Sequence, residues 1–293
     1  MRQYLKKTSK RSSASLELLF FFGIILIVVF FLSYPKTKKT EQENQPIWND
    51  VFKITKEDMR ETPEEATVIE LSELKESYTI QSGGDYILEG EFARTLYIDA
   101  EDQIVHLFMN NVQINSNTGS AICVNSAGKL IITLMNETQN TFIDAHVRTE
   151  NIKEEATIIS NTDITINGNG ELFVYGYYED AIRTKDVLKI IGGNIVIQSK
   201  GDGLRGSDGI LLCPSNLKVE SEETGILTNN AGKNGKGTVE ITGGEISIVG
   251  GEYAILAQQN LVVRNCRLTG KGVKGRFYVE GKEYIDKECL TDE

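Results

Sequence analysis

The sequence predicts an all-β solenoid, a parallel β-helix, preceded by one N-terminal membrane-spanning helix. Three observations predict it. One phrase occurs twice in register: Asp180-Ala-Ile-Arg183-Thr-Lys-Asp186 returns as Asp202-Gly-Leu-Arg205-Gly-Ser-Asp208, with both Asp positions and the Arg displaced by 22 residues. A repeat of this length built of short β-rich runs is a solenoid signature, in which equivalent residues stack ~4.8 Å apart. From Val68 onward, short apolar runs alternate with Gly, Asn, Ser and Asp clusters, and no long stripe of 3.6-residue period appears. Finally, Leu16 to Leu32 is apolar apart from Glu17, which is just long enough for a helix to cross a bilayer.

Residues 1–15 are basic (Arg2, Lys6, Lys7, Lys10, Arg11) and precede the helix of 16–33; Lys36, Lys38 and Lys39 follow it. The larger charge before the span orients the N-terminus to the cytoplasm, so the expectation is a single-pass protein of the cell membrane with its C-terminal domain outside. Residues 34–66, with Pro35, Pro46 and Pro63, read as a polar stalk with a short helix near Lys56–Met59 and with Trp48, the sole tryptophan.

The β-helix is expected over 67–275. Its second half repeats as strand, Gly corner, strand: Ile164–Val174, Leu188–Ile197 and Val239–Ile248 are three copies. A third short run follows or precedes each copy, at Ala121-Ile122, Ile158-Ile159, Ala181-Ile182, Gly203-Leu204 and Ala254-Ile255. Three strands per coil is the parallel β-helix pattern, with stacked Ile, Val and Leu inside. Gly192-Gly193 and Gly243-Gly244 supply corners free of Cβ strain. The register loosens at Glu222–Gly237, an excursion. Residues 276–293 read as a hairpin about Gly281 with a tail, capping the last coil against exposed strand edges.

Charge restricts the partners. The chain carries −11 overall and +7 in its first 40 residues, which leaves −18 for the rest. Such a body has no attraction for nucleic acid; it suits cations, and meets acidic polymers through a cation bridge. The four cysteines (Cys123, Cys213, Cys266, Cys289) form no C-x-x-C motif, and His106 and His146 have no ligand-like spacing. We read the cysteines as free thiols buried in stacked coils; their spacing picks out no disulfide pair.

In the solenoid register, Asp163, Asp186 and Asp208, continued by Asn230, form one acidic ridge. Asp180 and Asp202, continued by Thr224, form a second. Carboxylates stacked so closely repel, and Ca²⁺ is a fitting counter-charge because it takes six to eight oxygen ligands. The alternatives are neutralisation by Arg183, Arg205 and Lys185 as an ion-pair ladder, or Asp serving turn chemistry. Tyr175, Tyr177, Tyr178 and Tyr253 precede the third-strand turn, either as a sugar platform or as exterior packing. Tyr177 and Tyr178 with Arg183 and Arg205 are the expected carbohydrate contacts. Arg183 and Arg205 are also the weak catalytic candidates, as bases for elimination beside a cation.

These same residues carry a family resemblance. The coils Glu179–Asp208, the phrase Ile190-Ile-Gly-Gly-Asn-Ile-Val-Ile, and the upstream Gly84-Asp-Tyr-Ile-Leu-Glu-Gly-Glu-Phe and Ala121-Ile-Cys-Val-Asn-Ser resemble the carbohydrate-binding β-helix family of bacterial and archaeal cell surfaces. The likeness covers about residues 75–270. It implies a right-handed helix similar to pectate lyases that binds Ca²⁺ and holds plant or acidic polysaccharide without known cleavage. Separately, Arg11-Ser-Ser-Ala-Ser-Leu-Glu17 before Phe20–Phe31 resembles the class III signal of archaeal type IV pilin-like proteins. That likeness implies a cut between Ser12 and Ser13, though Ser stands where Gly and Gln are usual. The expected function is therefore a membrane-anchored, calcium-using carbohydrate binder. The rivals are a pilin-like envelope scaffold and a calcium-dependent polysaccharide lyase.

Overall fold

The structure is a computed structural model, which describes residues 51–148 and 155–291. The chain divides into a unit of Met1–Pro46, outside the described residues, and a unit of Ile47–Glu293, to which everything below refers. The membrane helix of 16–33, the Ser12–Ser13 cut and Trp48 thus lie outside the described residues. Among those described, no helix is long and apolar enough to cross a membrane.

The described body is a parallel β-helix. Strands follow one another around each coil and pair only with their counterparts in neighbouring coils. The first ladder runs through Lys129–Leu134, Ile164–Gly168, Val187–Ile190, Gly209–Leu212, Thr238–Ile241, Leu261–Val263 and Glu283–Ile285. The second runs through Gln139–Ile143, Glu171–Gly176, Asn194–Ser199, Asn216–Ser221, Glu245–Gly250 and Arg267–Gly272. The third comprises nine strands, among them Ala156–Ser160, Asp180–Thr184, Leu204–Gly206, Ile226–Leu227, Tyr253–Ala257 and Gly275–Val279. Two long early strands, Gly84–Phe92 and Ile104–Asn115, run around a corner and join the first ladder to the second. Every pairing is parallel, which excludes a sandwich of hairpins.

The reason is legible in the sidedness. Leu188 lies on Ile164 and Ile210, and Ile210 on Val239. On the second ladder Ile195 lies on Leu172 and Leu217. All these side chains are buried in one continuous core that runs the length of the stack. Each such side chain contributes about 1.5–3 kcal/mol by burial. The β-branched ones suit a strand twice over, in packing and in rotamer restriction. Gly193 and Gly244 have φ of +86° and +83°, as the corners require. A Cβ on Gly244 would also lie 2.2 Å from the Pro214 carbonyl oxygen.

Three expectations change. The hairpin about Gly281 does not form. Gly275–Val279 pairs in parallel with Tyr253–Ala257, and Glu283–Ile285 with Leu261–Val263, so these residues make one more coil. Inward Phe277, Val279 and Ile285 pack on the core and favour stacking over folding back. The stalk of 34–66 also ends earlier than expected. Residues 51–64 form a strap across the outside of the first ladder, from the Leu211 coil back to that of Asp85. Phe52 packs on Val187 and Leu211, and Lys189 donates to the Lys53 carbonyl at 3.0 Å. The 3₁₀ turn Glu57–Met59, where a short helix was expected, buries Asp58 completely. Asp58 takes Lys129 at 2.9 Å and the Thr165 hydroxyl at 2.6 Å, and Arg60 pairs with Asp85 beyond it. Lastly, Cys213 is exposed, not buried in the stack.

The excursion is present as expected. Leu204 pairs with Ile226, 22 residues on, but Gly209 pairs with Thr238, so about seven extra residues leave the coil between them.

Candidate functional site

The repeated phrase sets three rows side by side. Arg183 pairs in register with Arg205. Each is flanked by an Asp three residues before and three after, so the Arg row lies between the Asp180–Asp202 row at the entrance to the third ladder and the Asp186–Asp208 row in the bends that lead on to the first ladder.

In the first row each carboxylate binds the backbone of the coil above. Asp180 Oδ1 accepts the Asp202 N–H at 2.8 Å, and Asp202 Oδ1 accepts the Thr224 N–H at 3.1 Å. Both aspartates are almost fully buried, at 3% and 2% exposure. Burial, followed by the neighbouring Asp202 charge, pushes Asp180 up to about 7. Burial likewise pushes Asp202 up to about 6. The compensating charges come from the Arg row. Arg205 Nη1 lies 3.5 Å from Asp202 Oδ2 and 4.0 Å from Asp180 Oδ2, and Arg183 Nη1 lies 3.7 Å from Asp180 Oδ2. Asp180 Oδ2 is buried without a hydrogen bond. Arg183 also pairs with Glu155. This row is an ion-pair ladder whose carboxylates also serve the turn, the two alternatives to calcium weighed above.

The second row is acid-rich. Asp163 Oδ1 accepts the Val187 N–H at 3.1 Å, and its other oxygen is 3.8 Å from Lys189. Burial, then the charge of Asp163 and a hydrogen bond to Asp208, pushes Asp186 up to about 6. Burial alone would raise Asp208 too, yet Lys236, Asn230 and Asp186 hold it below the usual carboxylate range by hydrogen bonding. The hydrogen bond between Asp186 and Asp208 thus raises the one and lowers the other. Among the described residues, no three His, Cys, Asp or Glu side chains converge on a common point.

The aromatic residues cluster at the entrance to the third ladder. Tyr177 stacks on His146 at 4.2 Å and stands 6.0 Å from Tyr175, and its N–H donates to Asp144 Oδ1 at 2.7 Å. Tyr178 is exposed and carries Arg148 over its ring at 4.9 Å. Farther along, Tyr253, which occupies the same row position as Asp180, tilts against Tyr278 at 5.5 Å. Sequence reading missed Glu155, His146, Arg148 and Lys236. None of them belongs to a repeated phrase; Lys236 lies in the excursion, where no register points to it.

A family model described as "Carbohydrate-binding domain-containing protein" matches residues 75–284. The chain belongs to that family. A carbohydrate-binding domain-containing protein of Acetivibrio thermocellus is 35% identical over 97 residues, 32% of this chain. The match spans 34% of that relative, so the chain covers about a third of its length. Among solved structures, the polysaccharide lyase-like protein from C. thermocellum, a gadolinium derivative, superposes with a TM-score of 0.72 at 27% identity. The match covers 77% of this chain and 98% of that one, so this carbohydrate-binding domain has a polysaccharide lyase-like fold neighbour.

Proposed function

We propose that this carbohydrate-binding domain holds an acidic polysaccharide along its third ladder, at the outer face of a membrane to which residues 16–33 anchor it. The Arg183–Arg205 row carries the reading. The two guanidiniums are 25% exposed and stacked one coil apart, and each turns Nη1 to the protein's own carboxylates, which leaves Nη2 to meet a sugar carboxylate.

Calcium belongs to the second row. Asp180 and Asp202 already have arginines opposite them. Among the described residues, Asp163, Asp186 and Asp208 have Lys189 and Lys236 as cationic partners, and burial with the neighbouring Asp163 charge disfavours the ionised form of Asp186. These three carboxylates do not converge on one point and the Asn230 amide N–H donates to Asp208, so a hard divalent ion would bind by drawing the carboxylates together, with solvent as its remaining ligands. Bound there, it supplies positive charge to carboxylates of the glycan.

Binding, not cleavage, is the activity we assign. The family description that matches residues 75–284 names carbohydrate binding.

Calorimetry on the full chain tests both parts, with Ca²⁺ and then with a uronic-acid polymer and a neutral polymer as titrants. Heat from Ca²⁺ that Asp186→Asn with Asp208→Asn abolishes supports the cation row. Equal affinity for the neutral and acidic polymers overturns the glycan class. Unsaturated uronate accumulating in the mixture overturns the assignment as a binder.

A further inference from the structure

The far end of the solenoid holds a chemistry that the carbohydrate site does not use. Cys266 stands immediately before the last strand of the second ladder, Arg267–Gly272. Cys289 closes the 3₁₀ turn Lys287–Cys289 that follows the final strand of the first ladder. The tail then lies over the end of the second ladder. Leu290 bridges Leu268 in parallel, the Thr291 N–H donates to the Leu268 carbonyl at 3.1 Å, and Thr291 meets the Thr269 hydroxyl at 2.7 Å. Arg276 holds the Thr291 carbonyl at 2.7 Å. This register sets Cys289 one coil above Cys266 and one residue along. With ~4.8 Å between coils and ~3.3 Å per residue, their Cα atoms are about 5–6 Å apart, inside the window a disulfide spans. The sulfur is already turned inward: the Cys266 N–H donates to Cys289 Sγ at 3.3 Å. Cys289 is 5% exposed and belongs to the core.

We propose that Cys266 and Cys289 are a disulfide-forming pair that staples the C-terminal tail to the last complete coil. The reaction needs an oxidant of the disulfide class. One cysteine thiolate attacks the oxidant's sulfur and expels its first thiolate. The second cysteine thiolate then attacks the resulting mixed disulfide and expels the other half. Two thiols become one S–S bond, two electrons reduce the oxidant to two thiols, and the two cysteine protons go to them. Burial and the hydrogen bond to Cys289 push the Cys266 thiol up to about 12, so the docked pair reacts slowly. Oxidation therefore proceeds while the tail is undocked, during folding or fraying, and the finished bond is shielded. The bond closes the last coil into a covalent loop, which keeps the terminal strands from opening an edge to other chains.

The test is thiol mapping of the full chain, purified under reductant and then equilibrated with oxidised glutathione. Peptide mass analysis without reduction should recover a single cross-link, Cys266 to Cys289, with Cys123 and Cys213 still alkylatable. Exchange of amides in 275–291 should slow, and Tm should rise by roughly 4–10 °C over the reduced chain. Cys289→Ser should abolish that rise while Cys213→Ser leaves it intact. Recovery of all four thiols, glutathione left on Cys266 or Cys289, or a cross-link through Cys123 or Cys213 each overturns the pairing. The mapping needs only the unsubstituted chain, so a variant that fails to fold does not blunt it.

Discussion

Asp180 holds the backbone N–H of Asp202, the residue one coil above it in the same row, at 2.8 Å. Asp202 in turn holds Thr224, and the row ends there because Thr224 offers no carboxylate. The repeated aspartate therefore clamps one coil to the next while its second oxygen faces the arginines.

The clamp needs an acceptor, not a charge. Asp202→Asn should retain stability to within about 1 kcal/mol, whereas Asp202→Ala leaves the buried Thr224 N–H unsatisfied and should cost about 1–3 kcal/mol. Urea unfolding of the two variants checks this, with Asn and Ala equally harmful as the disproving result.

The same row makes stability fall with pH. Asp180 and Asp202 have folded-state values of about 7 and about 6 against 3.8 for the ordinary carboxylate. This row thus binds more protons in the folded chain than in the unfolded chain between about pH 4 and 7, and its contribution to stability declines as pH rises through that window, by at most about 3–4 kcal/mol per group. Buried His106, pushed down to about 4 by burial and by Arg60, works in the opposite direction up to about pH 6.5. Asp180→Asn should therefore raise Tm at pH 8 and change it little at pH 4. A gain of equal size at both values would count against the protonation argument.

Asp58 behaves as the reverse case. Burial would raise it, but hydrogen bonds from Thr165, Thr55 and Lys129 hold it at about 2. Its contribution is present above about pH 4 and is lost as pH falls toward 2. Asp58→Ala leaves Lys129 and Lys189 without their shared partner and should cost about 3–5 kcal/mol. A body begun at residue 65 should show a comparable loss against one begun at residue 47. Equal thermal midpoints would show that the strap is idle.

Arg183→Ala with Arg205→Ala should weaken binding of a uronic-acid polymer at least tenfold, the loss shrinking as salt rises. Charge-retaining Lys at both positions should recover only part of it, since an ammonium lacks the planar fork. Full recovery by Lys would reduce the row to a diffuse positive potential.

The coil architecture was legible because a solenoid writes its geometry as a period: residues 22 apart in the phrase at 180 and 202 are neighbours in space. Both aspartate columns could be drawn from that spacing. Their chemistry could not, because one column has arginines within 4 Å and the other has lysines from the strap-facing ladder and from the excursion. The strap escaped for a related reason. Its anchor, Asp58, meets Lys129 and Thr165, 71 and 107 residues away, with no repeat to connect them. The last coil was misread as a hairpin because Gly281 suits a turn of either kind; only the inward Phe277 and Ile285 distinguish them.

The strap also decides how this molecule takes a load. Tension arriving along the chain at Val51 reaches Phe52 on Leu211, then Lys189 and Asp58, before it reaches the first strand at Thr67. The pull is thus delivered to the middle of the stack and across several coils at once, where contacts must slide together to yield. A chain entering at its first strand would instead unzip one coil at a time.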